Sequence, residues 1–358
     1  MIILGSTGSI GKNTLLIAKD YEQKVEVLTT FQNVELLNKQ IAEFSPKIVV
    51  VGKEEFVKKV NHERVYFGEN GILRAIEEAK SEVVVNALVG FSGLKPTLKT
   101  LELGKKLALA NKESLVNAGK FIDTSKIAPI DSEHFALWYL LNNRKISKMI
   151  LTASGGAFRD WEISKIQNAT SSEALNHPNW KMGKKITVDS ASMVNKLFEV
   201  LEAHWLFGTK NIDAMIEKKS IFHGMIEFAD GSTTAHISGT DMKLPIAYAL
   251  FGKIEKEILK PVNLLKMGTF HFSEISKERY PLWNLKDELL KNPEKGAILN
   301  SANDFFVKMF LENRISFGEM SSGILDCFDN FENRKPKSID EVFQLDSEIK
   351  SAIQQKFQ

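Results

Sequence analysis

Residues 1–11 read Met1-Ile2-Ile3-Leu4-Gly5-Ser6-Thr7-Gly8-Ser9-Ile10-Gly11, an apolar segment followed at once by a glycine-rich turn. Ile2 to Leu4 predict a buried strand and residues 13–19 predict a helix, so the turn joins the first strand to the first helix. A glycine turn in this position is the dinucleotide-binding fingerprint. Gly8 would let backbone N–H groups approach a pyrophosphate, and the positive end of the helix would face that anion. The alternative is a glycine turn between an ordinary strand and helix, with no nucleotide.

The end of the second predicted strand bears on the choice of nicotinamide cofactor. That strand covers residues 25–30 and runs into Phe31, Gln32 and Asn33. NAD-binding domains usually carry an acidic residue here, which bonds the ribose 2′-hydroxyl and would repel a 2′-phosphate. No carboxylate stands at this point, which favours NADPH. The basic residue expected to pair with the 2′-phosphate is also missing from the stretch.

Length and composition predict an ordinary soluble globular protein with more than one domain. The chain has 358 residues, of which 43% are hydrophobic and 26% are charged, and its formal net charge is +2. This length exceeds a single compact core, and the charge gives no reason to expect nucleic acid or a membrane as a partner. Cys327 is the one cysteine, so no intramolecular disulfide can form. With no signal peptide or membrane-length apolar run recognised, we expect a cytoplasmic protein.

Strand and helix patterns alternate through the first 130 residues, which predicts a Rossmann-like, doubly wound parallel sheet. After the first two strands, predicted strands cover residues 48–51, 83–88, 106–110 and 126–130, and predicted helices cover residues 54–60, 71–80 and 94–104. The later chain is different in character. It predicts a strand at 148–153, a poorly patterned stretch at 160–184, one long helix at about 191–207, a hairpin at 220–237, and helices at 297–312, 316–330 and 339–355.

Two carboxylates follow the last predicted strand of the parallel sheet. Asp131 and Glu133 flank Ser132, just before a predicted helix at residues 135–141. Two carboxylates at i and i+2 of an extended segment lie on the same side, an arrangement that suits a hard divalent cation. The alternative is helix capping, since an acidic residue at a helix start is common.

The predicted helix at 191–207 carries an apolar stripe and an opposite polar face. Asn195, Lys196 and Glu199 share the polar face. An amide, an ammonium and a carboxylate there could hold a phosphate and complete a metal site. The alternative is a solvated face with a weak Lys–Glu pair. Ser154, before two glycines, and Ser190 are ordinary turn residues unless an oxyanion binds there.

The segment His177-Pro178-Asn179-Trp180 lies in the poorly patterned stretch. As a mobile lid, it would use Trp180 to cover a ligand and His177 to give a phosphate a charge-assisted hydrogen bond. The alternative is a simple surface loop. Lys112, at a predicted strand end, would either polarise a substrate group or simply be exposed. Its position in the sequence does not distinguish these two interpretations.

Six motifs occur together and in a fixed order along the chain. They are Gly5–Gly11, Ala110–Ser114, Pro129–His134, Ser154–Gly156, His177–Gly183 and Asp189–Glu199. The set closely resembles the 1-deoxy-D-xylulose 5-phosphate reductoisomerase family of the methylerythritol phosphate route to isoprenoids. The resemblance spans the whole chain and implies dependence on NADPH and on a divalent metal.

The resemblance also implies a role for each matching residue. The residues that match the family's NADPH contacts are Thr7, Gly8, Ser9, Ile10, Asn33, Asn111, Glu113 and Gly183. Metal ligands match Asp131, Glu133 and Glu199, which favours the carboxylate-pair interpretation over capping. Substrate contacts match Lys112, Ser132, Glu133, Ser154, His177, Ser190, Asn195, Lys196 and Glu199. Catalytic residues match Lys112, Asp131, Glu133 and Glu199.

The resemblance also implies a division into domains. We expect an NADPH-binding domain at 1–130, an α+β catalytic domain with the metal site and lid at 131–254, a linker at 255–283 and a C-terminal helical domain at 284–358. The chain departs from the family at two points. Phe31-Gln32-Asn33 stands where Gly-Lys-Asn is frequent, and Leu197 stands where glycine is common.

The implied reaction converts 1-deoxy-D-xylulose 5-phosphate to 2-C-methyl-D-erythritol 4-phosphate. Mg²⁺ or Mn²⁺, with Co²⁺ as a further candidate, would chelate the substrate carbonyl and the adjacent hydroxyl. The rearranged aldehyde would then accept hydride from NADPH, with a retro-aldol/aldol sequence and an α-ketol shift both open. We expect a homodimer that binds a sugar phosphate. The alternatives are a metal-free NAD(P) dehydrogenase, which would not need the three carboxylates, and a non-catalytic NADP-binding sensor.

Overall fold

The structure, a computed structural model, describes residues 1–356, which form two compact units. Unit 1 comprises residues 1–114, 123–135 and 241–259. Unit 2 comprises residues 115–122, 136–240 and the chain from Lys260 to the last described residue. We describe each unit by itself.

Unit 1 contains a seven-stranded sheet and its covering helices. The strands are β1 Ile2–Leu4, β2 Val27–Thr30, β3 Ile48–Val51, β4 Val65–Phe67, β5 Val83–Asn86, β6 Lys106–Leu109 and β7 Ile127–Pro129. The helices are α1 Ser9–Asp20, α2 Val34–Phe44, α3 Gly68–Glu78, α4 Leu94–Glu102 and, from later in the chain, α11 Lys243–Phe251. Helices α5 Glu113–Ala118 and α6 Ser132–Leu140 begin in unit 1 and end in unit 2.

The seven strands are all parallel, in the order β4-β3-β2-β1-β5-β6-β7. Central strands such as β1 and β3 are wholly buried because helices cover both faces, which is why their sequences are continuous apolar runs. The predicted doubly wound parallel sheet is confirmed.

The strand order reverses at β1, which lies between β2 and β5. Ile2 pairs with Val27 on one side and with Val84 on the other. Ligands of open parallel sheets bind outside the carboxyl ends of the strands at such a switch point. The turn from Gly5 to Gly11 therefore begins at the edge of the sheet where a dinucleotide is expected.

Two features of unit 1 differ from the sequence expectation. The edge strand β4 was not predicted, because two of its three residues are only partly buried, the third is exposed, and the pattern is too short. Helix α11 packs against α1, β6 and β7 within unit 1, although it lies more than a hundred residues later in the chain. Its residues Pro245, Ile246, Ala247, Ala249 and Leu250 are buried there. The packing thus divides the chain at points other than the sequence boundaries 130 and 254.

Unit 2 is built on a five-stranded mixed sheet in the order β11-β10-β8-β9-β12. Its strands are β8 Ile146–Ala153, β9 Ile212–Glu217, β10 Phe222–Phe228, β11 Thr233–Ile237 and β12 Phe272–Ser273. The predicted strand at 148–153 and the predicted hairpin are confirmed, with β8 antiparallel to β10 and parallel to β9. Strands β9 and β12 were not predicted, and β12 falls in the predicted linker.

The remaining helices of unit 2 are α7 Ile163–Ile166, α8 Ser171–Ala174, α9 Lys184–Ser192, α10 Val194–Phe207, α12 Leu264–Met267, α13 Lys286–Lys291, α14 Gly296–Leu311, α15 Phe317–Asn330 and α16 Ile339–Lys356. The single helix predicted at 191–207 is wrong at its start. Met193 adopts a left-handed conformation, with φ of 69°, and separates α9 from α10. The three predicted C-terminal helices are confirmed as α14, α15 and α16. No helix in residues 1–356 has the length and apolar character needed to cross a membrane.

Candidate active site

The turn after β1 is shaped by close backbone approaches. Gly5 has φ of +83°, and a Cβ there would lie 2.7 Å from the carbonyl oxygen of Ala87. The Gly5 N–H donates to Thr29 Oγ1 at 2.8 Å, and the Ser6 N–H donates to the Thr29 carbonyl at 2.8 Å. These bonds fix the turn to the end of β2. Helix α1 begins directly after it at Ser9, so its first N–H groups have no acceptors within the helix and are available to an anion.

The turn after β2, residues 31–33, lacks the basic side chain that would pair with the 2′-phosphate of NADPH. Asn33 caps α2, and its Oδ1 accepts a hydrogen bond from the Leu36 N–H at 3.2 Å. Phe31 is 63% exposed, and its ring lies where a Cβ on Gly52 would be. Thr30 Oγ1, at the end of β2, is 2.6 Å from Thr7 Oγ1 in the turn after β1. The end of β2 therefore offers an aromatic surface and two hydroxyls rather than a charge.

Asn111 and Glu113 are buried and hold the loop that follows β5. The Asn111 side-chain amide donates to the carbonyl oxygens of Leu88 and Gly90, both at 2.9 Å. Glu113 Oε1 accepts from the Gly90 N–H at 3.2 Å, and its other oxygen accepts from Asn111 at 3.1 Å. Because β5 is next to β1, these two residues shape the switch-point crevice from its second side.

A buried ion pair joins Lys112 to Asp131 within unit 1. Lys112 Nζ contacts Asp131 Oδ2, and their side chains are only 6% and 10% exposed. Asp131 Oδ1 also accepts from the Glu133 N–H at 3.3 Å, and Ser132 Oγ donates to Glu133 Oε2 at 2.7 Å. Burial by itself would raise the pKa of Asp131, but Lys112 and the nearby His134 and Glu133 groups hold that pKa well below its usual value. Asp131 thus caps the start of α6 with one oxygen, as the capping alternative expected, while its other oxygen pairs with the Lys112 ammonium.

The polar residues of α10 are buried rather than solvated. Lys196 and Glu199 have side chains that are 3% and 1% exposed, and Lys196 Nζ bonds both Glu199 Oε2 and the Thr152 carbonyl oxygen. Asn195 Nδ2 donates to Glu199 Oε1. The solvated-face alternative is therefore wrong. Helix α10 is enclosed on nearly all sides, and only a network of mutually bonded polar groups makes that burial tolerable.

Ser154 and His177 form a hydrogen-bonded pair with a defined direction. The N–H groups of Asn179 and Trp180 donate to His177 Nδ1 at 3.1 and 2.9 Å. The proton of the neutral ring therefore lies on Nε2, which is 2.9 Å from Ser154 Oγ and donates to it. Burial, with a smaller effect of Arg159, lowers the pKa of His177 to about 4.

The direction of that pair leaves the Ser154 hydroxyl as a donor. Ser154 Oγ accepts from His177 and also from the Gly156 N–H at 3.1 Å. Both lone pairs of the oxygen are then engaged, so its own proton points to a third partner. An oxyanion is a suitable acceptor for that proton. This is a preorganised donor, which is what anion binding requires.

Ser190 lies directly against the same turn. Gly156 has φ of +67°, and a Cβ there would come within 2.6 Å of the Ser190 carbonyl oxygen. The two serine-bearing segments are therefore packed backbone to backbone. Gly183 forms the N-terminal cap of α9, the helix that carries Ser190.

The predicted lid is tied to the turn between β9 and β10. Asn179 Nδ2 donates to the Lys218 carbonyl and to Ser220 Oγ, both at 2.6 Å. The Trp180 ring meets His223 edge-on, with centroids 6.2 Å apart. Residues 175–183 have no regular secondary structure within the described chain. The segment is therefore irregular but anchored at its centre.

Several residues that build this region were missed by sequence reasoning. Arg159 donates to the carbonyl oxygens of Ser154 and Lys218 at 3.0 and 2.8 Å, and Tyr280, from the predicted linker, donates to the Gly155 carbonyl at 2.8 Å. Asp189 accepts from Asn303 of α14 at 2.8 Å. Long-range partners of this kind leave no local pattern. The available signal in the sequence was a polar residue in a largely apolar stretch, as with Arg159 after Phe158 and Asn303 within α14.

Comparison with family models covers almost the whole chain. Residues 1–119 match the model described as 1-deoxy-D-xylulose 5-phosphate reductoisomerase, and residues 127–207 match that of its C-terminal domain. Residues 237–352 match a model described as the DXP reductoisomerase C-terminal domain.

Individual relatives agree with these models. The chain is 54% identical to 1-deoxy-D-xylulose 5-phosphate reductoisomerase of Nautilia profundicola, with 100% of both chains covered. It is 51% identical to the protein of the same name from Wolinella succinogenes, with 98% of both chains covered. A solved structure of DOX-P reductoisomerase with NADPH, fosmidomycin and magnesium matches with a TM-score of 0.92 at 32% identity, over 99% of this chain and 97% of that one. The Zymomonas mobilis enzyme with NADPH matches with a TM-score of 0.87 at 30% identity, over 98% and 96%.

Proposed function

The chain belongs to the 1-deoxy-D-xylulose 5-phosphate reductoisomerase family, and from that premise we propose which of its residues carry the reaction. The enzyme uses NADPH and a divalent metal to convert 1-deoxy-D-xylulose 5-phosphate to 2-C-methyl-D-erythritol 4-phosphate. The observation that carries the proposal is that polar residues matching the family's site residues are buried and prearranged in each unit.

We propose that Thr7, Gly8, Ser9, Ile10, Asn33, Asn111, Glu113 and Gly183 bind NADPH. The support in unit 1 is the switch-point turn, whose backbone N–H groups precede α1, and the loop of residues 88–90 that Asn111 and Glu113 hold in place. Phosphate oxygens are suited to such N–H groups. With Phe31 and Gln32 after β2, contacts to the 2′-phosphate would come from hydroxyl and amide groups rather than from a lysine.

We propose that Asp131, Glu133 and Glu199 are the metal ligands. Magnesium prefers carboxylate oxygens, and these residues supply them. Asp131 and Glu199 each lie beside a lysine within their own unit, which shows that a positive charge is stabilised next to each buried carboxylate. When bound, the ion supplies Lewis-acid polarisation of the substrate's carbonyl and hydroxyl oxygens. Mn²⁺ shares this preference for carboxylate oxygens, and Co²⁺ is a further candidate.

The substrate phosphate is the group we assign to Ser154, His177, Ser190, Asn195 and Lys196. Ser154 presents its hydroxyl proton because its lone pairs are engaged, and neutral His177 keeps it in that orientation. Lys196 supplies a buried ammonium. Binding energy from this nonreacting end of the substrate orients the reacting carbon atoms.

The reacting end of the substrate is the part we assign to Lys112, Ser132 and Glu133, with Glu199. Lys112 pairs with Asp131 and can donate a hydrogen bond to a substrate oxygen, and the Ser132 hydroxyl donates to Glu133. Catalytic roles belong to Lys112, Asp131, Glu133 and Glu199. Trp180 would exclude water when the 170–183 segment covers the substrate.

We also propose the domain organisation, the oligomeric state and the cellular location of the enzyme. The NADPH-binding domain is residues 1–130, to which Gly183 adds one contact; the catalytic domain with the metal site and lid is residues 131–254, the linker is 255–283 and the helical domain is 284–358. The active form would be a homodimer in the cytoplasm, a proposal that rests on the family resemblance. Measuring the molar mass in solution tests the dimer, and a monomer with full activity would contradict it.

Oxidation of NADPH by the purified protein in the presence of 1-deoxy-D-xylulose 5-phosphate tests the function as a whole. We expect absorbance loss that requires both the pentulose phosphate and Mg²⁺, and that stops when a chelator is added. A higher kcat/KM with NADH than with NADPH would contradict the cofactor assignment. Turnover unaffected by the chelator would contradict the metal assignment.

A further inference from the structure

A buried polar network in unit 2 joins α9 to α14. Asp189 Oδ1 accepts from Asn303 Nδ2 at 2.8 Å, and Asp189 Oδ2 lies 3.0 Å from Lys185 Nζ. The same ammonium is 3.2 Å from Asp304 Oδ1. Asp189 is 2% exposed and Asn303 is fully buried, so this is an interior contact between two helices.

The network holds one side of α9, and the phosphate-binding turn meets another. Lys185 and Asp189 are one helical turn apart and share the face directed at α14. Ser190, the next residue, has its carbonyl oxygen against Gly156, whose missing Cβ leaves the room for this approach. Helix α9 is thus fixed from two directions within residues 185–190.

From this arrangement we propose that Asn303 and Asp304 are positioning residues for the substrate phosphate. They hold α9 through Asp189 and Lys185, and so they set the distance between the hydroxyls of Ser190 and Ser154. The proposal rests on the phosphate role given above to those two serines. Neither α14 residue touches the substrate, and their effect is on where Ser190 stands.

The energetic reason for such a device is that a buried carboxylate is costly unless it is fully bonded. Asp189 receives an amide donor from one helix and an ammonium from its own. Removing the amide leaves a charged acceptor without its partner on α14, and a shift of α9 is the simplest way for it to regain one. That shift would widen the phosphate site while leaving the cofactor turn of residues 5–11 untouched.

The test compares two near-isosteric substitutions in the same helix. Asn303→Leu removes the donor to Asp189. Asn300→Leu, one turn earlier, is the matched control: Asn300 is also fully buried, and its side-chain atoms have no hydrogen-bond partner among the described residues. We expect Asn303→Leu to raise KM for 1-deoxy-D-xylulose 5-phosphate on the order of tenfold, the size of one hydrogen bond to a charged group. The Kd for NADPH should rise by a smaller factor than KM, because Gly183 at the start of α9 is one proposed NADPH contact whereas the turn of residues 5–11 is not part of α9. Asn300→Leu should leave KM unchanged.

A reciprocal exchange distinguishes positioning from general damage. Asp189→Asn combined with Asn303→Asp restores an amide–carboxylate pair with donor and acceptor exchanged. It should recover most of the KM that either single change loses. Asp304→Asn, at a partly exposed position, is a milder variant and should raise KM in the same direction if Asn303→Leu does not fold.

Four outcomes support or overturn the positioning role of Asn303 and Asp304. A selective rise in KM with rescue by the exchange supports the proposal. Equal KM values for Asn303→Leu and the parent, a loss of NADPH affinity as large as the rise in KM, or no rescue by the exchange would overturn it. Failure of the parent protein itself to turn over substrate would instead refute the proposed function, so the two failures are distinguishable.

Discussion

Replacing Gly8 by alanine separates the binding role of the cofactor turn from its folding role. Gly8 has φ of −74° and ψ of 176°, an extended conformation that any residue adopts. A Cβ at this position would have Gly5 O, at 3.3 Å, as its single close neighbour among the described residues. The folded protein should therefore accept the methyl group with a loss of about 1 kcal/mol or less, the usual effect of alanine at a helix N-cap.

The effect on NADPH should be much larger. The methyl group would stand where the pyrophosphate approaches the N–H groups at the start of α1. Each hydrogen bond between a backbone N–H and a charged phosphate oxygen is worth about 1.5–3 kcal/mol. Losing two of them costs at least about 3 kcal/mol, which corresponds to a rise in the NADPH Kd of about 100-fold or more.

Gly11→Ala provides the contrast. A Cβ at Gly11 would overlap the carbonyl oxygen of Gly5 and lie 2.5 and 2.6 Å from the backbone Cα and C atoms of Ser6. Overpacking against backbone costs about 1–3 kcal/mol or more, so this variant should lose thermal stability together with NADPH binding. Thermal unfolding and fluorescence titration with NADPH measure the two effects. The reasoning is refuted if Gly8→Ala binds NADPH within about threefold of the parent.

Three further predictions concern the metal, the lid and acid stability. Glu199→Gln should lower kcat by several orders of magnitude because it weakens a proposed metal ligand, and near-normal Mg²⁺-dependent turnover in that variant would remove Glu199 from the site. Hydrogen exchange across residues 170–183 should slow when a phosphonate analogue of the substrate and Mg²⁺ bind, and equal protection with and without these ligands would make the segment a fixed loop. Trp180→Ala should lower kcat with an unchanged NADPH Kd. Burial lowers the pKa of His177 from 6.5 to about 4, so between these values the unfolded chain binds a proton that the folded protein does not. The contribution of His177 to the free energy of unfolding is therefore present above pH 6.5 and is lost as the pH falls towards 4. His177→Gln should make the free energy of unfolding, measured with urea, depend less on pH across this range. An unchanged pH dependence would count against a neutral buried His177.

The parallel sheet was predictable because its signals are local. Continuous apolar runs such as Ile48–Val51 identify buried strands without reference to the rest of the chain. The Gly5–Gly11 turn is similar for Gly8 and Gly11, whose close neighbours lie within the turn, whereas the approach of the Ala87 carbonyl oxygen to Gly5 was not visible in the sequence. The pair Asp131 and Glu133 was also visible, since both residues follow a strand end.

The burial of the polar face of α10 was not predictable from its spacing. Lys196 and Glu199 look like a solvated pair in sequence, and only β8, through the Thr152 carbonyl, shows that they lie in the interior. The break at Met193 was missed for a related reason. A left-handed methionine has no sequence signature, and Met193 joins two helices that pack against each other.

The central claim is that one active site couples a carbon-skeleton rearrangement to hydride transfer. The most direct test is to supply NADPH that carries deuterium in the transferred position, together with 1-deoxy-D-xylulose 5-phosphate and Mg²⁺, and to identify the product by NMR and mass spectrometry. We predict a branched product, 2-C-methyl-D-erythritol 4-phosphate, with one deuterium on C1, the former aldehyde carbon. An unbranched 1-deoxypentitol phosphate that carries deuterium on C2 would contradict the claim, because it would show reduction of the ketone without rearrangement.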